Sequence, residues 1–318
     1  MQSRWSRLQD KSEEIMPGNT VYAVSRHCIF RWLFRDENDI INGQTIITEF
    51  PEETILIKLI ASDLDGTLLP EATTDLNPEL FTVIRELKKR GITFAAATGR
   101  QYLSAKSLLA PVENDILILA DNGSCIMEKG QALQCRTFDK QTFAELVRYV
   151  RTLDHVCVLV SSLTAAYTDS RNEWFCKELL GGYQVKLQTV DDVLEIEDSM
   201  IKVAAYFLED DAAKMAASCA EQFSERAHIM ASGAHWVDFM AKDVDKGAAL
   251  KKVQQMLHVT KEETMAFGDN QNDIGMLLEA TESYAVATAR DEVKAVARYV
   301  LPDEKDSVLN VLRKLCKN

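Results

Sequence analysis

The sequence contains few of the features that mark membrane, secreted or nucleic-acid-binding proteins. No stretch comes close to the roughly 18 uninterrupted apolar residues of a membrane span. The opening residues MQSRWSRLQDKSEEIMPGN lack the apolar segment of a secretory signal. The formal net charge is −13, so there is no excess of Lys and Arg with which to neutralise nucleic-acid phosphates. We therefore expect a cytoplasmic protein that binds neither membranes nor nucleic acids.

Cysteine is present but offers no recognisable site. The seven cysteines are scattered and none forms a CxxC pair, so the sequence does not support a zinc knuckle or a thioredoxin-like centre. An odd number of cysteines without a secretory signal favours reduced thiols in the cytosol. We expect these side chains to act as small buried hydrophobic groups.

The rest of the composition is that of an ordinary globular protein. The chain has 318 residues, of which 47% are apolar and 27% charged, and this length suffices for two domains of about 150 residues each. From residue 55 onward, apolar runs alternate with amphipathic segments, which predicts an α/β fold built on a doubly wound, mostly parallel sheet. An internal block of mixed helix and strand predicts an inserted α+β domain.

The first half of the predicted sheet carries clear signals. ILIKLIA (55–61) is a short continuous apolar run, which is typical of a strand covered on both faces. NPELFTVIRELKKRG (77–91) predicts a helix, because Phe81, Ile84 and Leu87 share one face. Further along we predict strands with their exit loops at 92–100 and 115–123, and a hairpin at 124–138 that turns at Lys129-Gly130.

The domain boundaries follow from a change in the alternation of apolar runs with amphipathic segments. Residues 139–230 mix helices and strands without a catalytic motif, and we predict that they form the inserted domain. The core domain is predicted to comprise residues 55–138 and 231–318, where the α/β pattern resumes. Near its end, DEVKAVARYV (291–300) predicts a helix.

The first 54 residues carry no chemical motif. CIFRWLFRDENDI (28–40) is compatible with a short amphipathic helix, and QTIITEF (44–50) with an added strand. The role of this N-terminal extension stays open between a segment packed on the core, a partner-binding arm and a stretch upstream of the true start.

Three clusters of polar residues stand where core strands are predicted to end. Asp63 and Asp65 follow the first strand, Thr98-Gly99-Arg100 follows the second, and DNQND (269–273) follows a later one. Ligands of open α/β sheets bind beyond the carboxyl ends of the strands, so neighbouring strands would bring these groups together. Lys246 opens a helix just before the last of these strands and adds positive charge. This set predicts a site for a magnesium ion and a phosphate group.

The same residue types suit phosphoryl transfer. Asp63 can attack phosphorus as a carboxylate nucleophile, which gives an aspartyl-phosphate. Asp65 can protonate the leaving alcohol and later deprotonate water. Lys246 and the metal would offset the repulsion between carboxylate and phosphate and stabilise charge in the transition state. Gly66 lets the turn adopt a conformation closed to other residues, and the Thr67 hydroxyl can tie the loop.

Five motifs occur in an order that resembles the haloacid dehalogenase-like superfamily, and more narrowly its Cof-like phosphatases. They are DLDGTLL (63–69), ATGR (97–100), DNG (121–123), DKGAAL (245–250) and GDNQNDIGML (268–277). The resemblance covers residues 56–318, with an insertion where this branch carries an α+β cap. It implies a Mg²⁺-dependent phosphatase for a small phosphorylated metabolite. Sugar phosphates are the first expectation, and nucleotide or cofactor-precursor phosphates follow.

The resemblance also implies roles for single residues. Asp63 is the nucleophile and Asp65 the acid/base, while Asp63, the backbone carbonyl of Asp65 and Asp269 bind Mg²⁺. The phosphate is held by Thr98, Gly99, Lys246 and Asn272, with Asp273 and Arg100 in supporting positions. One position departs from the family pattern, because Thr288 in AVATARDEV stands where Asn is usual. Substrate contacts at Thr288 are therefore not carried over.

Single motifs also have plainer explanations. SDLDG alone could be a turn sequence. DNQND resembles a calcium loop, but Ile274 stands where an EF-hand has glycine. Lys246 alone is more often a solvated helix residue, and Arg100 is as compatible with the surface as with a contact to phosphate or cap. Trp236 is predicted to lie in the core rather than to form a ligand platform.

Two other functions remain compatible with the sequence. A phosphomutase on the same scaffold would return the phosphoryl group to a second hydroxyl. A catalytically silent metabolite-binding regulator would keep the scaffold without turnover, and the presence of Asp63, Asp65, Lys246 and Asp269 argues against it. The sequence assigns neither the substrate nor the oligomeric state.

Overall fold

The structure of this protein is a computed structural model that describes residues 56–70, 73–181, 185–209, 211–232 and 234–317. The predicted N-terminal extension, with its predicted helix at 28–40 and strand at 44–50, lies outside these ranges. Among the described residues, no helix combines the length and the apolar character that crossing a bilayer requires.

The strands and helices of the described residues alternate along most of the chain. The strands are β1 (Leu59–Ser62), β2 (Thr93–Ala97), β3 (Ile116–Ala120), β4 (Cys125–Glu128), β5 (Gln131–Cys135), β6 (Val156–Ser161), β7 (Ala166–Thr168), β8 (Leu187–Thr189), β9 (Lys202–Phe207), β10 (Ala227–Ala231), β11 (Trp236–Ala241), β12 (Thr264–Gly268), β13 (Glu282–Ala285) and β14 (Tyr299–Val300). The α-helices are α1 (Glu79–Lys89), α2 (Tyr102–Leu108), α3 (Lys140–Val150), α4 (Glu173–Gly181), α5 (Ala212–Phe223), α6 (Lys246–Leu257), α7 (Ile274–Leu278), α8 (Asp291–Val296) and α9 (Ser307–Leu315).

The larger sheet has eight strands in the order β14-β13-β12-β1-β2-β3-β4-β5. Its strands pair in parallel from β14 to β3, and β4 and β5 add an antiparallel hairpin at one edge. The predicted α/β class with a mostly parallel sheet is therefore confirmed. The chain leaves β1 towards β2 on one side and later returns to β12 on the other. The crevice at the carboxyl ends of β1 and β12 is thus the kind of switch point at which α/β proteins bind ligands.

The first helix of this sheet forms where the sequence predicts it, with a different buried face. α1 buries Leu80, Val83, Ile84 and Leu87 at helical spacing, whereas Phe81 is only half-buried. The helix stops before Gly91, whose φ of +77° is a left-handed conformation that favours glycine. Helix α1 therefore covers the sheet mainly with aliphatic side chains.

The predicted helix at 291–300 is wrong in its second half. Helix α8 ends at Val296, the next residue has an extended ψ of 141°, and Tyr299 starts strand β14. The Tyr299 ring stacks on Tyr284 of the neighbouring strand, with 4.9 Å between the ring centroids. Pairing with β13 and this aromatic contact outweigh the local helical pattern, because both become available only in the assembled sheet.

The smaller sheet has six strands in the order β10-β11-β9-β6-β7-β8. Side chains alternate between its two faces, as the strand geometry requires. On β9, Val203, Ala205 and Phe207 pack into the apolar cluster that includes helices α3 and α5. Ala204 belongs to a second cluster, which contains Leu159 and Trp236. That second face lines the cavity over the carboxylates that follow β1 and β12.

The predicted cap bounds, 139–230, differ from the extent of this smaller sheet. Strand β11, which pairs with both β9 and β10, runs to Ala241. We propose that the cap extends to about this residue, and that the core comprises the remaining described residues. The division into two domains is a proposal that rests on the pairing of the strands.

Candidate active site

Three carboxylates meet at the carboxyl ends of the two central strands. Asp63 follows β1, and its N–H donates a 3.0 Å hydrogen bond to the carbonyl oxygen of Phe267 on β12. Asp269 follows β12, and Asp273 lies four residues further on. One carboxylate oxygen from each of these aspartates lies within 4.8 Å of the others. The neighbouring strands thus bring together residues that are about two hundred positions apart in the chain.

Lys246 supplies the positive charge at this cluster. It is the first residue of α6 and is fully buried. Its Nζ lies 2.5 Å from Asp63 Oδ1 and 2.7 Å from Asp273 Oδ1. Asp245 caps the helix by accepting a 2.9 Å hydrogen bond from the Ala248 N–H. Lys246 is therefore buried in the site and is not the solvated helix residue that its local sequence alone would favour.

The turn after Asp63 packs tightly on Asp269. The Thr67 hydroxyl donates a 2.7 Å hydrogen bond to Asp269 Oδ1. Gly66 has a φ of +84°, and a Cβ at this position would lie 2.4 Å from Asp269 Oδ2. Only glycine therefore permits both the backbone conformation and the approach of the Asp269 carboxylate.

We predict that Gly66→Ala displaces the Asp269 carboxylate and lowers both metal affinity and turnover. Gly91→Ala is the matched control, because Gly91 has a similar φ of +77° but open space around its Cβ position. Backbone strain alone should cost about 1 kcal/mol in both variants, visible in their unfolding midpoints. A metal titration and turnover assay should then separate them, with the defect confined to Gly66→Ala. Equal function in the two variants would contradict the role of this close approach.

The electrostatics of the cluster favour a bound cation. Burial raises the pKa of Asp63 well above its ordinary value, and the neighbouring carboxylates of Asp273, Asp269 and Asp65 add to this rise, while Lys246 opposes it. Burial and the Asp273 charge raise the pKa of Asp269 to about 6. Burial lowers the pKa of Lys246, but Asp273 and Asp63 outweigh burial and the net shift is upward. Three carboxylates share one ammonium group, which leaves negative charge uncompensated.

The donor set suits a hard divalent ion. All the side-chain donors of Asp63, Asp269 and Asp273 are carboxylate oxygens, the ligand type that Mg²⁺ and Ca²⁺ prefer. Sulfur and imidazole donors, which soft metals favour, are absent from this group of three. These aspartates could therefore hold a metal ion.

The structure places Asp65 and Arg100 in direct contact. The guanidinium donates from Nε to Asp65 Oδ2 at 2.8 Å and from its second terminal nitrogen to Asp65 Oδ1 at 2.6 Å. The same nitrogen donates to the backbone carbonyl of Thr73 at 2.6 Å. The Arg100 side chain is only 2% exposed, so the predicted alternative of a surface residue is wrong. Arg100 orients the Asp65 carboxylate at the edge of the cavity.

The residues predicted to hold phosphate lie around the same cavity. Gly99 and Asn272 line it, together with Asp63, Asp65 and Asp269. Thr98 is fully buried behind them, and its hydroxyl accepts a 3.0 Å hydrogen bond from the Arg100 N–H. Lys246 and Asp273 lie behind the residues that line the cavity. Lys246 contacts both Asp63, which lines it, and Asp273. The structure thus brings every predicted site residue to one end of the larger sheet.

Most of the other residues at the cavity were not singled out from the sequence; Trp236, which was predicted to lie in the core, is the exception. The smaller sheet and its helix α4 contribute an apolar wall, formed by Leu159, Leu179, Val185, Ala204 and Trp236. Trp236 packs on Tyr206 and Phe175, as expected for a core residue, and also lines the cavity. Two charged residues, Lys202 and Asp238, lie beside this wall. Their positions within the apolar segments MIKVAAYF and HWVDFMA were the sequence signal that could have identified them.

Thr288, which departs from the family pattern, is exposed in the loop after β13.

A family described as haloacid dehalogenase-like hydrolase matches residues 60–312. The chain belongs to this family. The match includes every predicted site residue, from Asp63 to Asp273. The predicted resemblance to the Cof-like phosphatases is confirmed.

Curated relatives of this hydrolase are named as phosphatases. The 5-amino-6-(5-phospho-D-ribitylamino)uracil phosphatase YbjI of Escherichia coli is 27% identical over 263 residues, which cover 82% of this chain and 97% of that protein. The HMP-PP phosphatase of Escherichia coli K12 is 26% identical over 248 residues, which cover 76% of this chain and 88% of that protein. The hydrolase is accordingly an enzyme of the phosphatase class.

A solved structure shows the same fold. A protein from Eubacterium rectale is 31% identical, with a TM-score of 0.71, and the match covers 81% of this chain and 98% of that one. Nearly the whole of the solved chain is therefore represented in this hydrolase.

Proposed function

We propose that this hydrolase is a Mg²⁺-dependent phosphatase that transfers the phosphoryl group of a small phosphorylated metabolite to Asp63 and then to water. The observation that carries the proposal is the contact of Lys246 Nζ with Asp63 at 2.5 Å and with Asp273 at 2.7 Å, beside Asp269. A lone buried lysine among several carboxylates is a suitable place for an anion and a divalent cation to bind together.

Asp63 is proposed to act as the nucleophile. Its carboxylate points towards the cavity at the end of β1, and Lys246 favours the ionised form that attack on phosphorus requires. A bond forms between an Asp63 oxygen and phosphorus, and the bond between phosphorus and the leaving oxygen breaks. Water then attacks the phosphorus of the aspartyl-phosphate, which releases inorganic phosphate and restores the Asp63 carboxylate.

Asp65 is proposed to move the protons of both steps. It would donate a proton to the leaving oxygen in the first step and remove one from water in the second. The two hydrogen bonds from Arg100 hold its carboxylate at the edge of the cavity. Arg100 therefore acts as a positioning residue for the acid/base group.

The phosphate oxygens are proposed to bind around the loop after β2 and the segment after β12. Thr98, Gly99 and Asn272 offer hydroxyl, backbone and amide donors, and Lys246 offers its ammonium group. Thr98 and Gly99 directly follow β2, Asn272 lies in the segment after β12, and Lys246 begins α6, so buried elements hold these donors in place before substrate binds. Fixed donors of this kind stabilise the charge that develops on the equatorial oxygens.

Asp63, Asp269 and the backbone carbonyl of Asp65 are proposed to hold Mg²⁺. A bound Mg²⁺ would neutralise carboxylate and phosphate charge. Asp273 is proposed to support these ligands, since its Oδ2 accepts hydrogen bonds from the N–H groups of Asp269 at 3.0 Å and Asn270 at 3.1 Å. Gly268 permits this approach, because a Cβ there would lie 2.5 Å from the Asp273 side chain.

The organic part of the substrate is proposed to lie against the wall formed by the smaller sheet. That wall combines apolar side chains with polar groups such as Ser161 and Ser232, so it suits a metabolite that has both kinds of surface. The curated relatives are named for 5-amino-6-(5-phospho-D-ribitylamino)uracil and for HMP-PP. We therefore propose a small phosphorylated metabolite, with phosphorylated sugars and cofactor precursors as the compounds to examine first.

The proposed function is tested by hydrolysis of a chromogenic phosphate ester and of a panel of phosphorylated metabolites, with and without MgCl₂. We expect phosphate release that depends on Mg²⁺ and that EDTA abolishes. Turnover that persists unchanged in EDTA would rule out the metal requirement. The absence of phosphate release from every compound would rule out the proposed activity.

The pKa shifts predict how pH changes metal binding. The pKa values of Asp63 and Asp269 are raised in the folded, metal-free protein, the latter to about 6. Because the ordinary pKa of an aspartate is about 4, the folded state holds more protons than the unfolded state from about pH 4 up to the raised pKa values. The site therefore destabilises the metal-free protein most above these raised values, and the penalty is lost as the pH falls towards about 4. We expect saturating MgCl₂ to raise the melting temperature at about pH 7.5 and to have little effect at about pH 5, where protons occupy the site.

The variant Asp269→Asn is the control for this measurement. It removes the group that titrates near pH 6 and one of the proposed metal ligands. The Mg²⁺-dependent rise in melting temperature at about pH 7.5 should therefore disappear, so that this variant shows little Mg²⁺ effect at either pH. An equal Mg²⁺ effect at both pH values in the unaltered protein would contradict the prediction.

A further inference from the structure

Three charged side chains that the proposed chemistry does not use are buried together beside the site. Lys202 on β9 is 6% exposed, Asp238 on β11 is 2% exposed, and Asp121 after β3 is fully buried. The Lys202 Nζ lies 3.4 Å from Asp121 Oδ1 and 3.4 Å from Asp238 Oδ2. Burying charge carries a large desolvation penalty, so this arrangement calls for a function beyond stability.

Lys202 contacts the loop that is proposed to bind phosphate. Its Nζ donates a 2.6 Å hydrogen bond to the carbonyl oxygen of Gly99. The same peptide unit continues with the Arg100 N–H, which donates to the Thr98 hydroxyl oxygen at 3.0 Å. Because a peptide unit is rigid and planar, fixing the carbonyl also fixes the N–H and the hydroxyl that it contacts.

A second series of hydrogen bonds leads from the same charges to Asn272. Asp238 Oδ2 accepts from Asn122 Nδ2 at 2.7 Å and from Ser232 Oγ at 2.8 Å. Asn122 Oδ1 in turn accepts from Asn272 Nδ2 at 3.0 Å. The orientation of the Asn272 amide is therefore set by Asp238 through Asn122. Both series begin on strands of the smaller sheet and end on loops of the larger one.

The turn at Asp121 and Asn122, which joins Asp238 to Asn272, has an uncommon backbone conformation. Asp121 and Asn122 have φ values of 49° and 56°, both in the left-handed region. Residues other than glycine seldom adopt such conformations, although Asn and Asp do so more often than most, and the surrounding contacts hold this turn in place. The turn places the Asn122 amide where it contacts Asn272 and Asp238 at once.

We infer that Lys202 is a positioning residue for phosphate binding, which aligns the Gly99 peptide directly and the Asn272 amide through Asp238 and Asn122. The inference rests on the proposed function, because it concerns the same phosphate. Lys202 does not touch the reacting atoms, since its Nζ contacts are the Gly99 carbonyl and the carboxylates of Asp121 and Asp238. The affinity for phosphate therefore depends on the position of the smaller sheet over the larger one.

The test compares Lys202→Met with Lys202→Met/Asp121→Asn and with the control Lys214→Met. Lys202→Met alone leaves two buried carboxylates without a cation, which threatens folding. The double variant removes one positive and one negative charge, and Asp238 keeps its hydrogen bonds from Asn122 and Ser232. Lys214 is exposed on α5, which packs on the smaller sheet, so the control makes the same change at a solvent-exposed position. Melting temperature and circular dichroism report folding.

Phosphate binding is measured by titration calorimetry with inorganic phosphate in the presence of MgCl₂, and KM and kcat with a chromogenic phosphate ester. We expect the double variant to fold, and its Kd for phosphate and its KM to rise about tenfold or more, because a hydrogen bond from a charged group is lost. The value of kcat should fall by a smaller factor. The control should match the unaltered protein in all three values.

Two results would overturn the inference while leaving the proposed function intact. One is a Kd in Lys202→Met equal to that of the unaltered protein. The other is a return to the unaltered Kd and KM in the double variant, since Lys202 would then only balance the charge of Asp121. A failure of the unaltered protein both to bind phosphate and to hydrolyse any ester would overturn the proposed function, and this inference with it.

Discussion

Asp63→Asn is expected to lower turnover by at least about 10⁴-fold, the scale on which loss of a catalytic nucleophile acts. The amide of asparagine cannot replace a carboxylate in forming the aspartyl-phosphate. The fold should persist, because the side chain keeps its size and Lys246 retains its 2.7 Å contact with Asp273. The measurement is kcat with a chromogenic phosphate ester at saturating MgCl₂, with circular dichroism as the test of folding.

The matched control for this change is Asp154→Asn. Asp154 is exposed in the turn before β6, away from the cavity residues. Its replacement makes the same chemical change and should leave kcat within a factor of about two. An Asp63→Asn protein that keeps most of its turnover would show that another group attacks phosphorus.

Lys246→Met should have the largest effect on both stability and activity. It removes the only positive charge in contact with Asp63 and Asp273 among the described residues. Breaking a buried ion pair by removing one partner typically destabilises by about 3–5 kcal/mol. We expect a loss of this order in the free energy of unfolding at about pH 7.5, together with loss of turnover. Denaturant unfolding followed by fluorescence would measure the first, and phosphate release the second.

The pH dependence of this loss tests its cause. Without Lys246, the pKa of Asp63 should rise further, because the charge that opposes the effect of burial is gone. Protonation at lower pH should then relieve the repulsion, so the stability deficit should shrink between about pH 7.5 and pH 5. Lys252→Met is the control, since Lys252 is exposed on the same helix. A deficit that does not change with pH would indicate lost packing rather than lost charge compensation.

The larger sheet and most of the site were predictable because their signals are local. The strands before Asp63 and Asp269 are short, mostly apolar and fully buried, and the polar residues of the site follow each strand within a few positions. Once the parallel order is assumed, the carboxyl ends must meet. The predicted convergence of Asp63, Lys246 and Asp269 needed only that one assumption about neighbouring strands.

The partners of Arg100 could not be predicted from its neighbours in the sequence. Its sequence context was compatible with the surface and with contacts to phosphate or cap, whereas the structure pairs it with Asp65 and with the Thr73 carbonyl. These partners lie 35 and 27 residues away along the chain. A charged side chain carries no periodic pattern that reports its partner, so its environment becomes known only when the loops pack together.

Lys202 and Asp238 illustrate the same limit within strands. Each is a charged residue inside an otherwise apolar strand, which sequence patterns treat as an interruption. The six-stranded sheet turns both side chains to the face that lines the cavity. The pairing of β9 with β11 places them together, and that pairing joins segments that are about thirty residues apart.

The sequence by itself determined the α/β class, the ordered motifs and the identity of the groups available for phosphoryl transfer, because apolar periodicity and short motifs depend on neighbouring residues. The tertiary structure alone decided that Arg100 orients Asp65 and that Tyr299 belongs to a strand. It also decided that Lys202 of the smaller sheet contacts the Gly99 carbonyl oxygen in the loop after β2. These outcomes depend on contacts between distant segments, whose free energies arise only when burial removes water and brings the partners within hydrogen-bonding distance.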